Sequence, residues 1–172
     1  ADRLGAPIVH ALRGKEFIEY DNPFDVGMTG LLGFASGYRA MEAADTLLVL
    51  GSDFPYEQFY PEHATTIQVD IRGSQLGKRH PLDLGLVGDV RATADALLPR
   101  LAEKSDRDHL DDSTAHYRKT RAKLDDLATP TKAGRPIHPQ YLARLLDEQA
   151  ADDAVFTACL LYTSPSPRDV EE

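Results

Sequence analysis

The stretch from residue 25 to residue 55, DVGMTGLLGFASGYRAMEAADTLLVLGSDFP, decides the fold of this chain. Its first half carries spaced glycines, and its second half carries the apolar run LLVL (residues 47–50), followed at once by GSDFP. An apolar run of this length between turn residues predicts a strand buried on both faces, which is typical of parallel sheets. Ligands of such sheets bind beyond the carboxyl ends of the strands. The first loop (residues 28–33) and the second loop (residues 51–55) therefore predict one extended ligand site with phosphates in it.

The rest of the chain alternates between strand and helix signals, which predicts an α/β fold with a parallel sheet. Short apolar or β-branched runs predict strands at residues 6–12, 24–28, 46–50, 65–71, 84–87 and 155–157. Helical spacing and capping residues predict helices at residues 32–44, 90–101, 105–127 and 139–149. Residues 129–136, TPTKAGRP, have the composition of a linker.

Composition and charge exclude several classes of function. The formal net charge of −9 argues against nucleic-acid binding, which needs clustered Lys and Arg. The single cysteine, Cys159, and the lack of an apolar signal segment predict a cytoplasmic protein. Five of the histidines are scattered without metal-ligand spacing, and His10 is interpreted as a packed strand residue. The sequence thus predicts neither catalytic nor metal-ligating residues.

Several candidate ligand contacts have an equally simple structural interpretation. Gly33 and Gly37 either admit a phosphate or allow close packing of a helix on the sheet. The aromatic residues after position 53 form either a small core or a wall beside a planar ring. Asp70 either accepts hydrogen bonds from a ribose or caps a turn, and Asp89 suits the N-cap of the next helix better than a ligand contact.

Four motifs resemble one family of enzymes. They are APIVHALRGKEFIEYDNPFDVGMTGLLGF (residues 6–34), ADTLLVLGSDFPYEQFYP (44–61), IQVDI (67–71) and LGLVGDV (84–90). In this order and spacing they resemble pyruvate oxidase and the quinone-dependent pyruvate dehydrogenase of the thiamine-diphosphate superfamily. The resemblance continues through IHPQYLARLL (137–146) and ends near Thr157.

The resemblance implies a domain plan and a set of FAD contacts. Residues 1–128 would be the central FAD-binding domain, with a sheet ordered 3-2-1-4-5-6 whose first strand lies before Ala1. Residues 129–136 would be a linker, residues 137–158 the start of the diphosphate-binding domain, and residues 159–172 a non-native tail that resembles translated adapter sequence. The implied FAD contacts are Met28, Thr29, Gly30, Leu31, Gly51, Ser52, Asp53, Phe54, Pro55, Val69, Asp70 and Asp89.

In such an enzyme, thiamine diphosphate and Mg²⁺ are bound outside this chain, so the chain alone is not expected to be catalytic. Pyruvate would be converted to acetate and CO₂, and the electrons would pass through FAD to a quinone. The family further implies a homotetramer, with membrane contact only through parts outside the chain. Three alternatives remain open: oxygen as electron acceptor, another flavin-bearing member such as acetolactate synthase or glyoxylate carboligase, and a flavin-free structural domain.

Overall fold

The computed structural model describes residues 1–19, 21–132 and 134–157 of the 172-residue chain. The chain divides into two compact units, Ala1–Leu124 and Asp125–Glu172. The predicted non-native tail, residues 159–172, lies outside the described residues. The strands are β1 (Ile8–His10), β2 (Asp25–Met28), β3 (Thr46–Leu50), β4 (Thr65–Asp70) and β5 (Leu84–Val87). The helices are α1 (Lys15–Ile18), α2 (Ala35–Glu42), α3 (Val90–Leu97), α4 (Asp108–Leu127) and α5 (Pro139–Gln149).

All strand pairs are parallel, which confirms the predicted α/β class. β1 pairs with β2, and β3, β4 and β5 form a three-stranded sheet in that order. The implied order 3-2-1-4-5-6 counts a first strand before Ala1, so β1 to β5 correspond to its strands 2 to 6. In that numbering the observed pairs are 2 with 3, 4 with 5, and 5 with 6, which are neighbours in the implied order. Within the described residues β1 and β3 lie in separate sheets, so each has an edge that pairs with no other strand.

The prediction that β3 is buried on both faces is wrong. Leu47 and Val49 pack against a core of Met41, Phe54 and Tyr60. Leu48 and Leu50 remain 38% and 45% exposed. Successive side chains of a strand point to opposite faces, and only one face of β3 is well covered. A continuous apolar run therefore does not distinguish a strand covered on one face from a strand covered on both.

Helix α2 lies very close to β2 and the first loop. A Cβ atom at Gly37 would lie 2.6 Å from the carbonyl oxygen of Met28, and one at Gly33 would lie 2.7 Å from the backbone of Thr29. Ser36 and Ala40 on the same helix are buried. The close-packing interpretation of the two glycines is confirmed, because only a residue without a side chain allows this approach.

Of the remaining helices, α5 has the predicted bounds, α3 begins as predicted but ends at Leu97, α4 begins three residues later than predicted, and α1 was not predicted. The Asp89 carboxylate accepts a hydrogen bond from the Ala92 amide at 2.9 Å and so caps α3. Pro139 occupies the first turn of α5, which suits its fixed φ. Among the described helices, none combines the length and the apolar character that a membrane span needs.

The predicted strand at residues 155–157 is wrong. These residues have no regular structure, and Val155 and Phe156 are 88% and 62% exposed. A strand is stable only when a neighbouring strand satisfies its backbone groups, and no such partner is found here among the described residues.

Replacing Gly37 with alanine should destabilise the first unit. The new methyl group would meet backbone atoms, which cannot move as a side chain can, so the free energy of unfolding should fall by about 1–3 kcal/mol. This loss should appear although alanine favours helix by about 1 kcal/mol over glycine. The measurement is urea denaturation followed by circular dichroism.

The matched control is Gly14→Ala. Gly14 has φ −86° and ψ −11°, and its Cβ would have His10 Cβ as nearest neighbour at 3.5 Å. This variant should be neutral or more stable by up to about 1 kcal/mol. Equal effects of the two substitutions would contradict the packing argument.

Candidate functional site

The first and second loops lie together at one edge of the fold. They follow the carboxyl ends of β2 and β3, respectively. A Cβ atom at Gly30 would lie 3.2 Å from ring atoms of both Phe54 and Tyr56, so the two loops are in direct contact. At the neighbouring strand ends, a Cβ at Gly51 would lie 3.2 Å from Val90, which follows β5. The predicted residues therefore gather where ligands of parallel sheets bind.

The first loop presents hydrogen-bond donors that the chain itself does not use. The Thr29 amide donates to His10 and the Gly33 amide donates to Gly30. The amides of residues 30–32 form no hydrogen bond within the described part of the chain. The Thr29 hydroxyl is buried and has no partner among the described residues either. Buried polar groups normally have partners, so this hydroxyl is a candidate contact for a ligand.

The second loop joins the ends of β3 and β4. The Gly51 amide donates to the Val69 carbonyl at 2.8 Å, and Gly51 has φ +60°, a left-handed conformation that favours glycine. The amides of residues 52–54 form no hydrogen bond with the described residues. The carbonyl of Ser52 accepts from the Gln68 side chain at 3.4 Å. Like the first loop, the second loop has amides available for an anion.

Asp53 has a partner that the sequence analysis missed. Its two carboxylate oxygens accept hydrogen bonds from Arg79, at 2.9 Å from Nε and 3.3 Å from Nη2. This hydrogen bonding holds the pKa of Asp53 below its usual value, and it raises the pKa of Arg79. No local pattern could have revealed the pair, because 26 residues separate its members.

The aromatic residues of and after the second loop form a core. Phe59 and Tyr60 both pack against Phe54, and the Tyr60 hydroxyl donates to the Phe54 carbonyl at 3.1 Å. Burial, followed by the negative charge of Asp53, raises the pKa of Tyr60 to about 12. The ring of Tyr56 is half-buried beside Gly30. The core interpretation is confirmed for this cluster, and Tyr56 is its member nearest the first loop.

The two acidic candidates at the ends of β4 and β5 have structural roles. The Asp70 carboxylate is buried and accepts from the Arg72 amide at 2.8 Å, which caps the turn after β4. The Asp70 carbonyl accepts from Gly88 at 3.0 Å. Asp89 caps α3, as described above. The turn-capping interpretation of Asp70 and the N-cap interpretation of Asp89 therefore describe how these two side chains are used.

Residues 1–97 match the model of a protein family described as "Thiamine pyrophosphate enzyme, central domain". The chain belongs to this family. Parallel strands with helices between them agree with that assignment. The family assignment covers β1 to α3, and therefore both loops.

Relatives of this central domain come from several bacteria. An "Uncharacterized 42.6 kDa protein in isoamylase 3'region" from Pseudomonas amyloderamosa is 60% identical over 137 residues, which cover 80% of this chain and 35% of that protein. The "Putative thiamine pyrophosphate-containing protein YdaP" of Bacillus subtilis is 35% identical, covering 91% of this chain and 27% of that protein.

Two relatives carry the names of enzymes. An acetolactate synthase of Mycobacterium bovis is 28% identical, covering 92% of this chain and 26% of that protein. A pyruvate oxidase of Lactiplantibacillus plantarum is 24% identical, covering 90% of this chain and 26% of that protein. The central-domain chain thus spans between about a quarter and a third of the length of these relatives.

Replacing Arg79 with glutamine should raise the pKa of Asp53 toward its ordinary value, because the largest cause of the low pKa is removed. The pKa of Asp53 is lower in the folded than in the unfolded chain, so the pair with Arg79 stabilises the fold fully at pH values above the pKa of Asp53 in the unfolded chain. That contribution is lost as pH falls through the folded pKa. Carbon-13 NMR titration of the Asp53 carboxyl measures the shift.

Arg91→Gln is the control for this titration. Arg91 is exposed on α3 and is not among the groups that lower the pKa of Asp53. The control should leave the titration of Asp53 unchanged. A pKa that stays low in Arg79→Gln would show that another group sets it.

Proposed function

We propose that this chain is the FAD-binding central domain of a thiamine-diphosphate- and FAD-dependent pyruvate oxidoreductase, which converts pyruvate to acetate and CO₂ and passes the electrons to a quinone. The observation that carries the proposal is that the two loops meet. The amides of residues 30–32 and 52–54 and the buried Thr29 hydroxyl have no hydrogen-bond partners among the described residues. These donors suit an extended ligand with a diphosphate at its centre.

The charges around the loops are compatible with such a ligand. Helix α2 begins two residues after Gly33, so its amino-terminal partial positive charge lies beside the first loop. Asp53 is the acidic residue of the second loop, and Arg79 neutralises it. We propose contacts of FAD with the twelve residues named from the sequence. At Asp53, Asp70 and Asp89 we assign the FAD contacts to backbone atoms, because their carboxylates already accept hydrogen bonds from other residues.

FAD would supply two-electron acceptor chemistry in the complete enzyme. The residues of this chain would bind and orient the flavin, and none of them is assigned a catalytic role. Thiamine diphosphate and Mg²⁺ would be held by parts of the protein outside the chain. We further propose a cytoplasmic homotetramer that contacts the membrane only through those other parts.

Two other functions remain candidates. The identities to acetolactate synthase and pyruvate oxidase are too similar to separate these reactions, and the choice of the pyruvate oxidase reaction rests on the motifs GMTGLLGF and FPYEQFYP. One contact favours a flavin-free structural domain. The rings of Phe54 and Tyr56 lie directly against Gly30, so they fill part of the space between the loops.

Replacing Thr29 with valine in the full-length protein tests flavin binding at this site. Valine has nearly the same shape but no hydroxyl, so loss of one hydrogen bond to FAD should weaken FAD binding by about 1 kcal/mol, or roughly fivefold. Without FAD the same variant should be at least as stable as the wild type, because an unpartnered buried hydroxyl has been removed. Flavin absorbance and thermal denaturation measure the two effects.

Thr66→Val is the matched control. Thr66 is fully buried, but its hydroxyl donates to the Ala64 carbonyl at 3.4 Å. This variant should keep the wild-type affinity for FAD and should not become more stable. A wild-type protein without flavin would support the structural domain instead. Release of acetolactate rather than acetate from pyruvate would support the synthase.

A further inference from the structure

Three buried side chains converge between β1, α1 and β2. The Nε2 atom of His10 lies 3.4 Å from Oε1 of Glu19 and 3.6 Å from Oδ1 of Asp25. The side chains of His10, Glu19 and Asp25 are 1%, 8% and 5% exposed, respectively. One potential ligand atom from each residue lies within 4.8 Å of the other two. We call this group the His10 cluster.

The hydrogen bonding of the His10 ring leaves the Nε2 atom with a lone pair that faces the carboxylates of Glu19 and Asp25. His10 Nδ1 lies 3.2 Å from the carbonyl oxygen of Ala11. A carbonyl oxygen only accepts hydrogen bonds, so Nδ1 carries the hydrogen in this contact. In a neutral ring Nε2 is then an acceptor that faces two further acceptors. Accordingly, Nε2 of His10 and Oε1 of Glu19 are both buried, and neither has a hydrogen-bond partner among the described residues.

The cluster brings two buried carboxylates close to each other. Lys15 Nζ lies 2.7 Å from Oε2 of Glu19, and the lysine side chain is 42% exposed. Asp25 accepts a hydrogen bond from the Gly27 amide at 3.1 Å. The phenol of Tyr117 also hydrogen-bonds to Asp25, and burial, followed by the negative charges of Asp25 and Glu19, raises the pKa of Tyr117 to about 12. Both of these donors to Asp25 are neutral, and burying carboxylates is costly unless positive charge offsets them.

We propose that His10, Glu19 and Asp25 bind one divalent transition-metal ion, with Zn²⁺ as the representative ion. Ligand atoms about 2.1 Å from a tetrahedral metal lie about 3.4 Å apart, close to the two separations at Nε2. A metal-bound histidine usually donates its other ring N–H to a carbonyl or carboxylate, and Ala11 supplies that acceptor. One imidazole and two carboxylates suit zinc better than Mg²⁺ or Ca²⁺, which prefer oxygen ligands alone.

The metal would join three consecutive segments of the chain. β1 contributes His10, the residue after α1 contributes Glu19, and the first residue of β2 contributes Asp25. None of the three is among the proposed flavin contacts, so the metal site does not depend on the proposed function. Its role would be structural, because it neutralises two carboxylates inside the β1–β2 unit.

The experiment titrates the whole chain with Zn²⁺ in competition with a chromogenic chelator. The wild type should bind one Zn²⁺ per chain, and Co²⁺ at the same site should give the visible absorption of a tetrahedral complex. Glu19→Gln and Asp25→Asn keep the shape of each side chain and an oxygen acceptor. Each should weaken Zn²⁺ binding by at least about tenfold.

Two controls and one gain-of-affinity variant sharpen the test. Glu16→Gln removes the same charge from the exposed face of α1, and His63→Gln removes an exposed imidazole elsewhere. Both should leave the affinity nearly unchanged. Lys15→Gln should tighten Zn²⁺ binding, because the lysine competes with the metal for Glu19, whereas a cluster that binds no metal predicts no gain.

Each contrary result overturns the proposal. If the wild type does not bind one Zn²⁺, the His10 cluster is a metal-free feature of the core. If Glu16→Gln weakens binding as much as Glu19→Gln, the ion binds the surface of α1. If His63→Gln weakens binding as much as Glu19→Gln, the ion depends on His63 and not on the His10 cluster alone.

Discussion

The close approach of α2 to β2 is the constraint on which the candidate site depends. Gly37 and Gly33 lie against the backbone of residues 27–29, at distances that exclude any Cβ atom. This contact fixes the direction in which the chain leaves β2, and so it determines where the first loop lies. The amide of Phe34 donates to the Met28 carbonyl at 2.7 Å and closes the same turn. Backbone packing, rather than side-chain chemistry, therefore determines the conformation of the first loop.

The second loop is held against the first by an aromatic core. Phe54 is buried among Tyr56, Phe59 and Tyr60, and two of these rings touch Gly30. The same side chains that bring the loops together also occupy part of the space between them. The proposed dinucleotide site therefore relies on backbone donors, and the space left between the loops would distinguish a flavin-binding from a structural central domain.

The β1–β2 unit contrasts with this site. Its interior holds the His10 cluster, which combines two carboxylates and an imidazole, and Lys15 pairs with one of the carboxylates. Burying carboxylates together is costly unless positive charge offsets them. Because the amide of Thr29 donates to the His10 carbonyl at 3.0 Å, the cluster and the first loop are parts of one strand pair.

Local signals in the sequence determined the order and type of nearly all elements. The bounds of β3, β5 and α5 are those predicted, since apolar runs, turn residues and Pro139 act over a few neighbouring residues. The same signals marked both loops. Only the tertiary structure decided that one face of β3 is exposed, that Arg79 neutralises Asp53, and that Glu19 and Asp25 meet His10. These features depend on which distant segments pack together, and no local pattern encodes that.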